Sequence, residues 1–309
     1  MPRFQENVPL SEHSNYKIGG PARYFFTART EASLKSALTE AKRRKLPVFL
    51  IGGATNLLFP DKGFNGLVIK CAFGGLERRG NRIHIGAGVS ITKLIRFAAQ
   101  NNLAGLEWAG GLPGTVGGAI RGNAGCFGGE TKDSIVEVRG IDTRTLQVIT
   151  RPRQGCRFAY RSSIYKEKQG REVVLAAVFA LKKGRKDAIW RVAKKNIDWR
   201  KERHPLEYPN IGSIFKNVPV QNVPHRWQKD LAANPKMDPF PVVPAARLIA
   251  RANMKGKRRG GAMISLKHTN FIVNVRKAKA ADVKYLVKFV QRTIKRKFGI
   301  ELEPEVQIL

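Results

Sequence analysis

Nine of the twenty residues from Gly110 to Gly129 are glycine. Glycine loses more backbone freedom on folding than any other residue, so such density persists only where side chains would be in the way. The stretch reads as backbone lying against something flat or anionic. Residues 51–56, Ile-Gly-Gly-Ala-Thr-Asn, repeat the theme behind the apolar run Val48–Ile51, which reads as a buried strand. A strand ending in Gly52, Gly53, Ala54, Thr55 and Asn56 can aim its N–H groups at a phosphate, with the Thr and Asn side chains adding hydrogen bonds. Neither block is the G-x-G-x-x-G fingerprint or a P-loop. Two such blocks in one chain point to one long cofactor with a diphosphate in its middle. The bland alternative is a pair of tight turns and a close-packed crossing.

A chain of 309 residues can hold two domains, each with its own core. It has no run of about eighteen apolar residues, so no membrane insertion is expected. The start, with Glu6 and Glu12, lacks the apolar stretch of a signal peptide. Cys71, Cys126 and Cys156 show neither CxxC spacing nor a histidine cluster, so no metal is expected and a reducing cytoplasm fits best. The 57 lysines and arginines against 23 acids give a formal charge of +34, a field that attracts phosphorylated ligands. No zinc finger, RRM or basic-zipper pattern accompanies it, so no specific nucleic-acid partner is expected. The charge reads as a bias of the whole chain, with incidental affinity for polyanions.

Apolar periodicity predicts helices at 30–45, capped by Thr30, and after Ser90, where Ile91, Leu94, Ile95, Ala98 and Ala99 share a face. Further helices are expected near 186–200 and 281–297. Strands are expected at 81–88, 135–141, 146–150 and 172–181, and 262–275 is strand-rich. Six prolines between Pro219 and Pro244 read as a loop. Mixed strands and helices in two groups argue for α+β domains, with the composition shift at Lys182-Lys183-Gly184 as boundary. The expected division is 1–184, in lobes of about 1–75 and 76–184, and 185–309.

By residue type alone Arg161 reads as an ion-pair residue, Glu305 as a surface carboxylate and His268 as a structural histidine. Ser213 has no G-x-S-x-G elbow and no partners in hydrolase order. Their surroundings change the reading. Tyr16-Lys17-Ile18-Gly19-Gly20-Pro21-Ala22, Gly52 to Leu58, Gly114-Thr115-Val116-Gly117-Gly118, and Asn123-Ala124-Gly125 occur in that order. Tyr160-Arg161-Ser162-Ser163, Gly212 to Asn217, Gly260-Gly261-Ala262, His268 to Asn274 and Glu303-Pro304-Glu305-Val306 follow. On these motifs the chain resembles, over nearly its full length, the UDP-N-acetylenolpyruvoylglucosamine reductase family of peptidoglycan precursor synthesis.

The resemblance implies an α+β protein: a FAD-binding domain of the vanillyl-alcohol-oxidase (PCMH) type in two lobes, and a smaller α+β C-terminal substrate-binding domain whose tail, 300–309, returns to the active site. It implies that NADPH provides a hydride, passed through FAD to C3 of the enolpyruvyl group of a UDP-sugar, and that the resulting enolate is protonated at C2. Ser213 matches the family's proton donor, and Arg161 and Glu305 the residues that polarise the carboxylate. Gly52, Gly53, Ala54, Thr55 and Asn56 would hold the diphosphate; Gly114, Thr115, Gly117, Gly118, Asn123 and Gly125 would lie along the flavin. Tyr160, Arg203, Lys216, Asn217, His268 and Asn270 would meet the substrate. Covalent flavin attachment in related proteins uses His or Cys near the loop; Gly52–Leu58 has neither, so noncovalent FAD is expected.

The chain departs from the pattern in places. Ala54-Thr55 stands where Gly-Ser is frequent, Arg203-His204-Pro205 where Lys-Gln-Pro is common, and Gln307 where Arg is common. Only fifty-two positions separate Arg161 from Ser213, as in the branch without an extra substrate-capping loop. Two competitors make different predictions. Another FAD-linked oxidoreductase would need no donor for a carbanion, and a basic polyanion-binding protein on a retired flavin fold would be colourless.

Overall fold

Thr30 accepts a hydrogen bond from the Ser33 N–H at 3.1 Å and opens the helix Glu31–Arg43. Ser90 does the same for Ile91–Gln100, accepting from Lys93 at 3.2 Å. Both helices turn apolar faces inward, Leu34, Ala37, Leu38 and Ala41 in one and Leu94, Ile95, Ala98 and Ala99 in the other. The computed structural model describes residues 2–237 and 239–309; Met1 and Asp238 lie outside the described residues.

The chain forms two compact units. The first comprises residues 1–8, 22–53 and 64–200, the second 9–21, 54–63 and 201–309. Beside two short two-stranded sheets, the first unit is built on two larger ones. In one, the strands Pro21–Ala28 and Val48–Ile51 both pair in parallel with Phe64–Cys71. The other is antiparallel, in the order Val148–Pro152, Ile135–Asp142, Glu172–Ala180, Arg82–Gly86 and Leu76–Arg79. One apolar core, including Leu67, Ile69, Ile83, Ile85, Val138 and Phe179, runs through the unit. In the second unit the helix Ala280–Phe298 buries Val283, Leu286, Val287, Val290 and Ile294 in a core shared with Ala262, Ile264 and Ile272.

Three expectations change. The division does not fall at 184, because the helix Lys186–Arg203 runs on without a break and is fastened to the first unit. Ala193 is in that unit's core, Asn196 donates to Glu107 O at 2.9 Å, and Arg200 Nε donates to Gly110 O at 3.0 Å. The second unit also recruits two early segments. Tyr16 is fully buried there, its hydroxyl donating to Ile272 O at 2.7 Å while Asn274 donates to Tyr16 O at 3.0 Å.

The segment from Pro219 to Pro244 is not a plain loop. It contains a sheet of Val218–Pro219, Pro241–Val243 and Lys236–Met237, and a helix His225–Leu231. Pro224 precedes that helix and Pro244 the helix Ala245–Arg251, positions where a missing N–H and a fixed φ do no harm. The glycine block also contains a helix, Val116–Gly122, which glycine's poor helix propensity hides from a periodicity reading.

Candidate active site

In the first unit the strand Val48–Ile51 delivers Gly52 and Gly53, and Ala54 opens the next stretch of the second unit. Ala54 is left-handed, with φ 46°. An alanine there bears about 1–2 kcal/mol of steric strain that glycine would not.

The glycine block has two jobs. An ideal Cβ on Gly110 would come within 2.4 Å of Ala193 O, and one on Gly129 within 2.4 Å of the Trp108 ring. These glycines let the unit close on itself. Around Thr115 the reason differs. Thr115 precedes the helix Val116–Gly122 but does not cap it, and its buried Oγ1 has no hydrogen-bond partner. A Cβ on Gly52 would stand 2.7 Å from that oxygen and one on Gly118 3.6 Å. A buried hydroxyl without a partner costs about 1–3 kcal/mol, so its natural complement is a polar ligand reaching into a wall of bare backbone. These residues fit FAD. Gly52→Val is expected to empty the site, and Thr115→Val to weaken FAD about tenfold, the scale of one lost hydrogen bond to a charged group. Flavin absorbance per protein measures both; full occupancy in the two variants would assign Gly52 and Thr115 to packing.

Asn123 and Gly125 serve Arg161. Asn123 is fully buried and left-handed, φ 41°, at the end of the helix Val116–Gly122. Its amide donates to Ala159 O at 3.0 Å and accepts from the Lys132 N–H at 3.1 Å. The side chain therefore laces the turn Ala159–Ser162 to the glycine block rather than presenting its amide to a ligand. Within that turn Arg161 is left-handed too, φ 55°. Its Nη2 donates to Gly125 O at 2.8 Å, and its guanidinium sits 5.0 Å from the Tyr160 ring centre. Two residues that sequence reasoning missed complete the fastening. Lys166 Nζ donates to Arg161 O at 2.8 Å, and Ser163 Oγ to Arg121 O at 2.8 Å. Ser163 stood in the quoted motif; Lys166 had no signal.

The second unit assembles Ser213 and Glu305 through backbone. Ile214 N donates to Asn270 O at 2.8 Å, and Glu305 N donates to Ile214 O at 2.8 Å. Phe215 bridges to Pro304 in antiparallel fashion. The Ser213 segment is thus held between Asn270 on one side and the C-terminal tail on the other. Asn270, 3% exposed, grips Phe215 with both ends of its amide, accepting from the N–H at 3.0 Å and donating to the C=O at 2.9 Å. It works as a backbone clamp. The tail is pinned again where Gln307–Ile308 pairs in parallel with Leu57–Leu58, and where Asn56 Nδ2 donates to Glu305 O at 3.2 Å. Asn56, expected at the diphosphate, holds the main chain of Glu305.

The remaining expected substrate residues lie in the same unit. Lys216 pairs with Glu303, Asn217 Oδ1 accepts from Ala245 N at 3.2 Å, and Arg203 is exposed beside Glu202. His268 packs against His204 and Phe271, ring centres 5.5 and 4.8 Å away. Burial lowers the His268 pKa, aided by the positive charge of Lys236, which leaves a neutral imidazole at pH 7. Among the described residues no cluster of His, Cys, Asp and Glu could hold a metal ion. No helix there is long and apolar enough to cross a membrane.

Comparison with known proteins agrees with this geometry. Residues 22–148 match a family described as FAD binding domain, and residues 204–309 one described as UDP-N-acetylenolpyruvoylglucosamine reductase, C-terminal domain. Arg161 falls between the two ranges. The reductase of that name from Lactobacillus delbrueckii subsp. bulgaricus is 39% identical over 307 residues, covering 99% of this chain and 95% of its own. That of Caldanaerobacter subterraneus subsp. tengcongensis is 34% identical over 304 residues, covering 98% and 92%. The crystal structure of the Thermus caldophilus reductase is similar with a TM-score of 0.79 at 30% identity, covering 100% of this chain and 99% of its own. The fold is α+β, with a FAD-binding domain of the PCMH type followed by a C-terminal domain of the reductase. With likeness running through both domains and nearly every residue, the chain belongs to the UDP-N-acetylenolpyruvoylglucosamine reductase family.

Proposed function

We propose that this chain uses NADPH to reduce UDP-N-acetyl-3-O-(1-carboxyvinyl)-glucosamine to UDP-N-acetylmuramate, a step of peptidoglycan precursor synthesis. FAD, bound noncovalently, supplies the two-electron relay between the two substrates. The observation that carries the reading is the backbone ladder joining Ser213, through Ile214, to Glu305, inside the range that matches the reductase C-terminal domain.

Reduction adds a hydride to C3 of the enolpyruvyl group, and charge then develops on its carboxylate. Arg161 by its positive charge, and Glu305 by donating a hydrogen bond as the acid, stabilise that charge, and Ser213 gives its hydroxyl proton to C2. The serine regains a proton from solvent. The left-handed backbone of Arg161, fixed by Asn123, Lys166 and Gly125, leaves the guanidinium little freedom to lose when the anion forms. The high positive charge raises the local concentration of both anionic substrates. The cytoplasm is the proposed compartment, its reducing conditions suiting the thiols Cys71, Cys126 and Cys156.

The test separates the half-reactions under anaerobic conditions. NADPH is expected to bleach a yellow protein, and the enolpyruvyl substrate to restore the colour with release of UDP-N-acetylmuramate. Bleaching without recovery would point to a different oxidised substrate, and a colourless protein would overturn the reading.

A further inference from the structure

Between Arg251 and Ile300 the chain carries fifteen lysines and arginines and one acid, Asp282. The fold concentrates part of this charge around an aromatic ladder in the second unit. The strand Arg258–Arg259 packs on the helix Ala280–Phe298. The Arg259 guanidinium lies 4.7 Å over the Tyr285 ring, and Tyr285 stacks on Phe289 at 6.3 Å with an interplanar angle of 10°. Tyr285 is 49% exposed. Lys288 and Arg292 follow at i+3 and i+7, on the same helix face, and both are exposed.

The single acid is turned inward. Asp282 accepts from the N–H groups of Gly261 at 3.4 Å and Lys279 at 3.0 Å. Among the described residues Arg259, Lys288 and Arg292 form no ion pair. The opposite face of the helix is spent in the core, so no apolar stripe remains to enter a bilayer.

We propose that this face binds single-stranded nucleic acid without regard to sequence. Arg258, Lys288 and Arg292 would take phosphates, and unpaired bases would extend the ladder of Phe289, Tyr285 and Arg259, since aromatic faces and guanidinium planes accept any base. A duplex hides its base faces and would gain only the phosphate contacts.

The test uses the full chain with FAD bound and a fluorescein-labelled oligothymidylate, followed by anisotropy over a salt series. Arg258→Gln/Lys288→Gln/Arg292→Gln is expected to lower the slope of log affinity against log salt by about 2, three contacts at ~0.7 each. Tyr285→Ala is expected to weaken single-strand binding about tenfold and leave the matching duplex unaffected. Lys93→Gln/Arg96→Gln/Lys183→Gln removes equal charge from exposed positions of the first unit and is expected to change little. NADPH-driven turnover, unchanged in every variant, checks folding. Equal losses in the two triple variants would assign the affinity to net charge and overturn the proposal. So would an indifferent Tyr285→Ala, or binding to phosphatidylglycerol vesicles with none to the oligonucleotide.

Discussion

Glu305→Gln is expected to slow flavin reoxidation by the enolpyruvyl substrate by orders of magnitude while flavin content stays near one per chain. Glutamine keeps the shape and a hydrogen-bond donor but cannot exchange a proton. The backbone that sets Glu305, its N–H on Ile214 and its C=O on Asn56, is untouched by the change. Glu303 supplies the control. Its side chain is 68% exposed and paired with Lys216 at the surface, an arrangement worth about 0–1 kcal/mol. Glu303→Gln should therefore leave both half-reactions close to wild type. The reverse outcome, with Glu303 essential and Glu305 dispensable, would shift the catalytic role by two residues.

Ser213→Ala is expected to leave NADPH-driven flavin reduction nearly intact and to slow reoxidation by the enolpyruvyl substrate at least ~10²-fold, the scale of a lost general acid. The structure makes the comparison clean, because Ser213's neighbours are held by the main chain of Ile214 and by the Asn270 clamp on Phe215. Stopped-flow absorbance resolves the two steps. Equal slowing of both would make Ser213 a support of the fold instead of the proton donor.

Local signals in the sequence were reliable where cap and period agreed. Thr30 and Ser90 start their helices as expected, and Val48–Ile51 is the strand ahead of the first glycine loop. Glycine and proline misled, because their usual meaning as breakers concealed the helix Val116–Gly122 and the ordered segment between Pro219 and Pro244. The interleaved units were invisible, since nothing near Tyr16 announces that its hydroxyl reaches Ile272. Within the candidate site, Ser213, Arg161 and Glu305 stand out through their surrounding motifs and not by residue type, and their roles remain those proposed above. Asn123 and Asn270 read as ligand contacts because amides suit that work. Buried peptide groups need partners first, and both side chains satisfy main chain.

The union of Tyr16 with Ile272 and Asn274 also governs how the protein is made. Those partners are 256 and 258 positions apart, and a ribosome adding roughly 5–20 residues per second leaves the early segment waiting roughly 13–50 s for its mates. The first unit contains nothing later than Arg200 and can consolidate meanwhile, whereas the stretches 9–21 and 54–63 stay unsatisfied until the end of translation. A message that stops early thus yields a chain with a glycine cradle but no Glu305, carrying exposed apolar segments that mark it for chaperones and proteases.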